Sequence, residues 1–425
     1  MKIKNLLLQG LPALVCPALA LSAPNPPPLG SPESLGKTIP IVAWYGIPTK
    51  FNSVERYKEM AAAGFTMCVP PEGNTETVRQ HLDFAAQAGI KLILQENRML
   101  TDPAAVAADF KNNPGLGMYF LKDEPTEKIF ARLAEVKNTL AQEDPQHLSW
   151  INLYPNHATA EQMGLPDYAT YVERYLEVVR PAFLSYDNYG VFKEKEKFTL
   201  SPSYYANLEQ ISKEARAEGK PFWAFIQTTA FGSHGVTGEA ALRLQAFSSL
   251  AYGARGIEYF TYWTPLPEQS DSDFHDGPIS RDGTRTPLLD LLTILNKEIQ
   301  VLTPTLVGLK PVGVGHFNPQ DPSVTEFTPS HGVVSVGGVS SASAVLGFLE
   351  GIEGEPWLLV VNRSFEKAGE FELTMEPEIR AAWETSKVTG EQQSLAKAEK
   401  DKPLILMVKL APGDGRLFKL SKTGK

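Results

Sequence analysis

The sequence predicts an α/β protein, a (β/α)8 TIM barrel followed by a small antiparallel β-sandwich. Three observations predict it. From residue 41 to residue 301, short apolar runs alternate with longer amphipathic stretches. The apolar runs are continuous, as strands read when helices cover one face and the barrel interior buries the other. After roughly residue 309 helical periodicity largely stops, and Gly, Val, Ser and Thr take over, the texture of antiparallel strands and turns.

The elements follow in order. Lys2 and Lys4 precede a short apolar stretch at 6–15, and Ala18-Leu19-Ala20 offers small residues for cleavage, with Ala23 as a second option. Residues 1–23 therefore read as a secretory signal, and the expected location is secreted or periplasmic. The stretch is too short to cross about 30 Å of hydrocarbon, so no membrane insertion is expected after signal removal. Bulky Val15 before Cys16 argues against lipoprotein processing. Without Cys16, Cys68 is the one cysteine left, which excludes an intrachain disulfide and a cysteine pair on a metal. Residues 24–40, rich in Pro, Gly and Ser, read as a linker.

Strands are predicted at 41–45, 65–69, 90–95, 117–121, 148–153, 183–186, 221–227 and 256–262. Helices are predicted at 53–63, 75–88, 103–111, 128–142, 168–179, 204–217, 239–252 and 287–301. Gly64, Gly89 and Gly219 stand where helices end in a residue of positive φ. Eight such units match a closed barrel over 41–308. An open doubly wound sheet is the alternative, but no glycine-rich phosphate loop follows the first strand. In the sandwich, 309–425, strands are expected at 333–336, 344–348, 357–361, 370–373 and 404–410, with 380–383 and 397–402 as connections.

Composition narrows the function. Hydrophobic residues make up 43% and charged residues 21%, ordinary for a folded protein. The formal net charge of −9 argues against nucleic acid and anionic membranes as partners. The seven histidines show no ligand spacing. The loop 271–277 departs from a calcium-loop pattern. No Gly-x-Ser-x-Gly elbow occurs. No metal and no cofactor are expected. Asn362-Arg363-Ser364 matches a glycosylation acceptor and is read as incidental.

In a barrel, reactive groups collect where strands end. Here the strand ends deliver Trp44 and Tyr45; Glu72; Gln95, Glu96 and Asn97; Lys122, Asp123, Glu124 and Pro125; Asn152 and Tyr154; Ser185, Tyr186, Asp187, Asn188 and Tyr189; Gln227, Thr228 and Thr229; and Tyr262 and Trp263. Such a rim suits carbohydrate. Sugar hydroxyls want paired donors and acceptors, and their C–H faces want flat rings. Trp44, Tyr45, Glu96, Asp123, Asn152, Tyr154, Tyr186, Tyr189, Gln227 and Trp263 are the expected substrate contacts. Capping of strand ends is the blander reading for any one of them.

Asp123-Glu124-Pro125 at the end of the fourth strand is the sharpest signal. The layout over 41–308 and this motif resemble the clan A barrel glycosidases, whose acid/base is a Glu followed closely by Pro at that place. Residues 252–263 resemble the last helix-to-strand unit of such enzymes, and Asn362 with the 412–418 ending resembles the β-sandwich appended to several of them. The resemblance implies a secreted glycoside hydrolase acting on a poly- or oligosaccharide, with Glu124 as general acid/base. Asp123 replaces the usual Asn of the pattern, and a neighbouring carboxylate raises the pKa of a general acid. The pattern also carries a nucleophilic Glu at the end of strand seven, where this chain has Gln227. Asp187, flanked by Tyr186 and Tyr189, is therefore the favoured second carboxylate, followed by Glu96 and then Glu258. With no Glu on strand seven, attack by water and inversion are expected, which needs about 6.5–9.5 Å between the carboxyls against about 5–5.5 Å for direct attack. Glycan binding without hydrolysis is the alternative, and Gln227 favours it.

Overall fold

The computed structural model describes residues 28–422 apart from 72, 196, 236–237, 268–271, 320 and 339–341. The expected signal segment, Glu72 and the start of the 271–277 loop lie outside the described residues.

Six strands come first: β1 (Ile41–Trp44), β2 (Met67–Cys68), β3 (Lys91–Leu94), β4 (Leu116–Asp123), β5 (Leu148–Asn152) and β6 (Leu184–Tyr186). A hairpin that the sequence pattern does not announce follows, β7 (Val191–Glu194) and β8 (Lys197–Leu200). Then come β9 (Phe222–Gln227) and β10 (Ile257–Phe260). The eight barrel strands are parallel, in the order β5-β4-β3-β2-β1-β10-β9-β6. A parallel bridge between Leu153 and Tyr186 brings β5 to β6 and closes the ring.

Strand parity sorts the side chains into two layers. Val42, Ile93, Met118, Phe120, Trp150, Trp223 and Phe225 fill the interior. Ile41, Ala43, Leu92, Leu94, Tyr119, Ile151, Leu184, Tyr186, Ile226 and Tyr259 face the helices. Those helices are α1 (Val54–Ala62), α2 (Thr75–Ala88), α3 (Pro103–Phe110), α4 (Phe130–Glu143), the short α5 (Ala160–Met163), α6 (Tyr168–Val179), α7 (Pro202–Ala217), α8 (Glu239–Ala251) and α9 (Pro287–Leu306). Their starts are chemically marked: Ser53, Asn74, Asp102 and Asp167 each accept a backbone N–H of the first turn. Gly64, Gly89 and Gly219 take φ of 84°, 75° and 61°, as expected. No helix among the described residues is long and apolar enough to cross a membrane.

Residues 28–38, part of the segment read as a linker, lie against the floor of the barrel. Leu29 and Leu35 pack on its interior cluster, and the Gly30 carbonyl accepts Leu148 N–H at 2.9 Å. A Cβ on Gly30 would come within 2.0 Å of the Gly117 oxygen, so this approach requires glycine.

The C-terminal part holds β11 (Lys310–Phe317), β12 (Val333–Gly338), β13 (Ala344–Glu350), β14 (Pro356–Asn362), β15 (Gly369–Met375), β16 (Ala381–Thr385), β17 (Gln392–Lys397), β18 (Ile405–Leu410) and β19 (Gly415–Ser421). They form an antiparallel sheet in the order β11-β13-β14-β19-β16-β17, faced by β12-β15-β18. Of the segment 380–383, expected as a connection, residues 381–383 belong to β16, which pairs with both β17 and β19. The six-stranded sheet is apolar on both faces. Leu346, Phe348, Leu358 and Val360 enter the sandwich core, whereas Val345, Leu349, Trp357, Leu359 and Val361 join the barrel core. Gly347 makes that junction close: a Cβ there would stand 2.3 Å from the Ala251 oxygen on α8. Beside it, Arg243 bonds Glu298 at 2.7 Å and Asp414 at 3.1 Å.

Candidate active site

The site is built at the upper ends of β4, β5 and β6. Plain alternation along β4 would turn Asp123 outward, because Phe120 faces in and Leu121 faces the helices. The register shifts between Phe120 and Lys122, a bulge that sets Lys122 opposite outward-facing Ile151 and Asp123 opposite Asn152. The bulge thus re-aims Asp123 into the mouth of the barrel. Glu124 follows with φ of 43°, a left-handed conformation uncommon for a side chain this large, and its N–H is fixed to the Asn152 oxygen at 2.9 Å.

Asp187 arrives from β6 with the parity of Ser185, facing in. It is 7% exposed, and its Oδ1 has no partner among the described residues. The charges of Glu124 and Asp123 act on it, and Tyr189 stands beside it. Three carboxyls that feel one another's charge cannot all ionise cheaply. Burial first, then the charge of Asp123, pushes Glu124 up to about 7. Burial, then Glu124 and Asp123, pushes Asp187 well above the usual carboxylate range. Asp123 reaches solvent yet sits deep between the strand ends, and desolvation raises it too, against the Asn152 hydrogen bond. The Glu124–Asp187 pair therefore holds a proton near neutral pH. Such a pair can donate that proton to an oxygen entering the mouth and take one back.

Around the carboxyls stand Asn152, whose Nδ2 donates to Asp123 Oδ1 at 3.0 Å, and Tyr154, whose hydroxyl is raised by desolvation and by Glu124, Asp123 and Asp187. Tyr189 packs against Phe260 at 4.6 Å between ring centroids, and Phe231 meets both at 5.8 and 6.0 Å. Trp44 faces in, edge-on to Phe120, Trp150 and Phe225. It borders a recess of about 300 Å³ shared with Gln95, Phe120 and Asp123.

Several expected contacts stand elsewhere, for identifiable reasons. Glu96 has the outward parity of Leu94 and is held by Thr75 Oγ1 at 2.9 Å, Arg98 N–H at 2.6 Å and Arg98 Nε at 2.8 Å. It borders the recess but is committed to that ion pair, not to the carboxyl cluster. Tyr45 has outward parity, and its hydroxyl accepts Leu266 N–H at 3.2 Å, holding the loop after β10. Tyr186 packs in the helix-facing layer. Trp263 is fully buried against Phe51 and under Arg56, behind the rim. Gln227 is buried as well: its Nε2 donates to the Gly235 oxygen at 3.1 Å and its N–H to Gln245 Oε1 at 2.9 Å. No carboxylate stands at the end of β9 among the described residues. Reading strand ends alone passes over Phe260, which parity with Glu258 would have turned inward, and undervalues Glu258 itself.

A glycoside hydrolase family 5 structure from Bacteroides vulgatus matches with a TM-score of 0.55 and 12% identity, over 91% of this chain and 90% of that one. This chain shares the fold of that glycoside hydrolase structure over nearly the whole of both chains. A β-galactosidase from Marinomonas ef1 matches at a TM-score of 0.48 and 12% identity, over 64% of this chain and 62% of that one. This chain thus spans less than two thirds of the β-galactosidase. A family 30 endoxylanase from Clostridium papyrosolvens matches at 0.43 and 8% identity, over 93% and 98% of the two chains. No protein-family model matches the chain, and no curated protein does.

Proposed function

We propose that this chain is a glycoside hydrolase that cleaves O-glycosidic bonds of a poly- or oligosaccharide, with Glu124 as general acid/base and Asp187 as its partner. The observation that carries this reading is the proton-holding Glu124–Asp187 pair in the mouth of a barrel, with Glu124 titrating near 7. Glu124 gives its proton to the glycosidic oxygen as the C–O bond breaks. Water adds its hydroxyl to the anomeric carbon, and its remaining proton restores the pair. Tyr189, Phe260 and Trp44 offer ring faces to sugar C–H groups, and Asn152 and Tyr154 offer polar partners. The charged and then apolar start of the chain supports export.

Asp187 is the second carboxyl of this reading, and the expected outcome is inversion by water attack, which uses about 6.5–9.5 Å between the carboxyls against about 5–5.5 Å for direct attack. Proton NMR of the first-formed product reads the anomer directly, and a product that keeps the substrate's configuration would refute water attack.

Gln227 supports a second reading, glycan binding without hydrolysis, because its amide is locked into the loop where related barrels are expected to carry a nucleophile. Release of reducing ends from a panel of polysaccharides separates the two. Glu124→Gln is expected to lower that release by about 10²–10⁴-fold. Wild-type protein that binds a glycan by calorimetry yet releases nothing from it would establish the second reading.

A further inference from the structure

Glu258 is a carboxyl in the wrong place for a barrel core. It is fully buried on β10, in register with Val42 on β1 and Phe225 on β9, where barrels use branched apolar side chains. Its one hydrogen-bond partner among the described residues is the Ser185 hydroxyl, 3.3 and 3.2 Å from its two oxygens. Ser185 Oγ also stands 2.9 Å from Asn152 Oδ1, and Asn152 Nδ2 stands 3.0 Å from Asp123 Oδ1. These contacts form one chain from the barrel core to the carboxyl cluster.

We propose that Glu258 is a positioning residue: through Ser185 and Asn152 it fixes the amide that holds the Asp123 carboxyl in the barrel mouth. The proposal rests on the reading of Glu124 as the acid, because the charge of Asp123 adds to burial in keeping Glu124 protonated. Proton counting gives the chain its direction. Asn152 must turn its N–H towards Asp123, so its oxygen faces Ser185 and needs a donor. Ser185 has one proton and gives it there, so Ser185 Oγ must itself accept a proton, and Glu258 supplies it. Burial keeps that proton on Glu258. An ionised Glu258 would draw the Ser185 proton to itself and leave the Asn152 oxygen buried without a donor. The groups facing Asp123 are Lys122 on its own strand, Glu124 just after it, Tyr154 after β5, Asp187 and Tyr189 after β6, and Glu258 below. Glu96, paired with Arg98, borders the same recess.

The test is a carboxyl 13C NMR titration of Glu124 in the ligand-free full-length chain, which needs no hydrolysis. Glu258→Leu and Ser185→Ala should each move the Glu124 midpoint down, because a loosened Asn152 lets Asp123 take up a proton and its repulsion fades. Glu258→Gln, whose amide N–H can still donate to Ser185, should restore the wild-type midpoint. At a pH a unit or more above the midpoint, lowering it by a full pH unit cuts the protonated fraction about tenfold, and kcat/KM follows that fraction. Equal midpoints in the wild type, the Leu variant and the Ala variant would overturn the proposal. So would a Gln variant displaced as far as the Leu variant, because packing would then be the cause. Should the Leu variant fail to fold, the Ala and Gln variants carry the test. Midpoints that move as stated in a protein that hydrolyses no glycan would sink the hydrolase reading and leave this chain of bonds intact.

Discussion

Glu96 and Asp187 stand at two strand ends of one barrel, and both are almost sealed from water, at 4% and 7% exposure. Their surroundings are opposite. Glu96 meets a guanidinium, a backbone N–H and a threonine hydroxyl, so both of its oxygens are occupied. Asp187 feels the charges of two other carboxyls, and its Oδ1 has no partner among the described residues. A buried charge with a counter-ion holds a loop in place. A buried charge among like charges stores protonation free energy that chemistry can use. Burial and residue type alone do not separate the two; the neighbours do.

The sharpest break of that contrast exchanges charge for amide at each place. Asp187→Asn is expected to lower glycan hydrolysis by about 10²–10⁴-fold. It should also raise stability at pH 8, where the crowded carboxyls repel one another. The sign follows from Glu124, whose folded pKa of about 7 exceeds its ordinary 4.5. The folded chain holds that proton more tightly than the unfolded one, so stability falls as pH rises from 4.5 through about 7. Glu96→Gln should do the reverse: a loss of about 1–3 kcal/mol in urea unfolding, with turnover close to wild type. An inactive Glu96→Gln of unchanged stability would place Glu96 in the chemistry and collapse the comparison.

Trp263→Phe probes an intermediate effect. Its place after the eighth strand suggested an indole on the sugar, whereas the structure packs it against Phe51 and under Arg56. The variant should lose about 1–3 kcal/mol in thermal or urea unfolding through a cavity and a lost cation–π contact, with KM unchanged. A raised KM at unchanged stability would return Trp263 to the binding surface.

Much of the fold was legible because its signals are local. Eight apolar runs, their spacing and three helix-ending glycines are written in consecutive residues. The carboxyl motif was legible for the same reason. Four misplacements have two physical sources. Tyr45, Glu96 and Tyr186 lie on the outward parity of their strands, and a period-two reading of Leu94 or Leu184 would have shown it. Trp263 lies beyond the end of β10 at Phe260, where parity no longer applies. The re-aiming of Asp123 was not legible, because the bulge on β4 depends on its register with β5, a long-range pairing. The ion pair that claims Glu96 is a question of geometry, and composition does not carry it.

The smallest expected effect tests that bulge. Asp123→Asn keeps the oxygen that accepts from Asn152 Nδ2 and removes the charge, so the change is electrostatic with little repacking. Asp123 is the second cause of the raised Glu124 pKa after burial. The limb of kcat/KM that falls with rising pH, set by Glu124 near 7, should therefore move down in the variant. It should stop short of an ordinary carboxyl, because burial remains. Below the limb the two proteins should differ little, since the acid is protonated in both. The same profile measured on Glu96→Gln should keep its limb, because Arg98 already compensates that charge. A limb fixed near 7 in Asp123→Asn would mean that burial alone tunes Glu124. The bulge would then serve to place Asn152 and Asp123 against the sugar, not to hold a charge beside the acid.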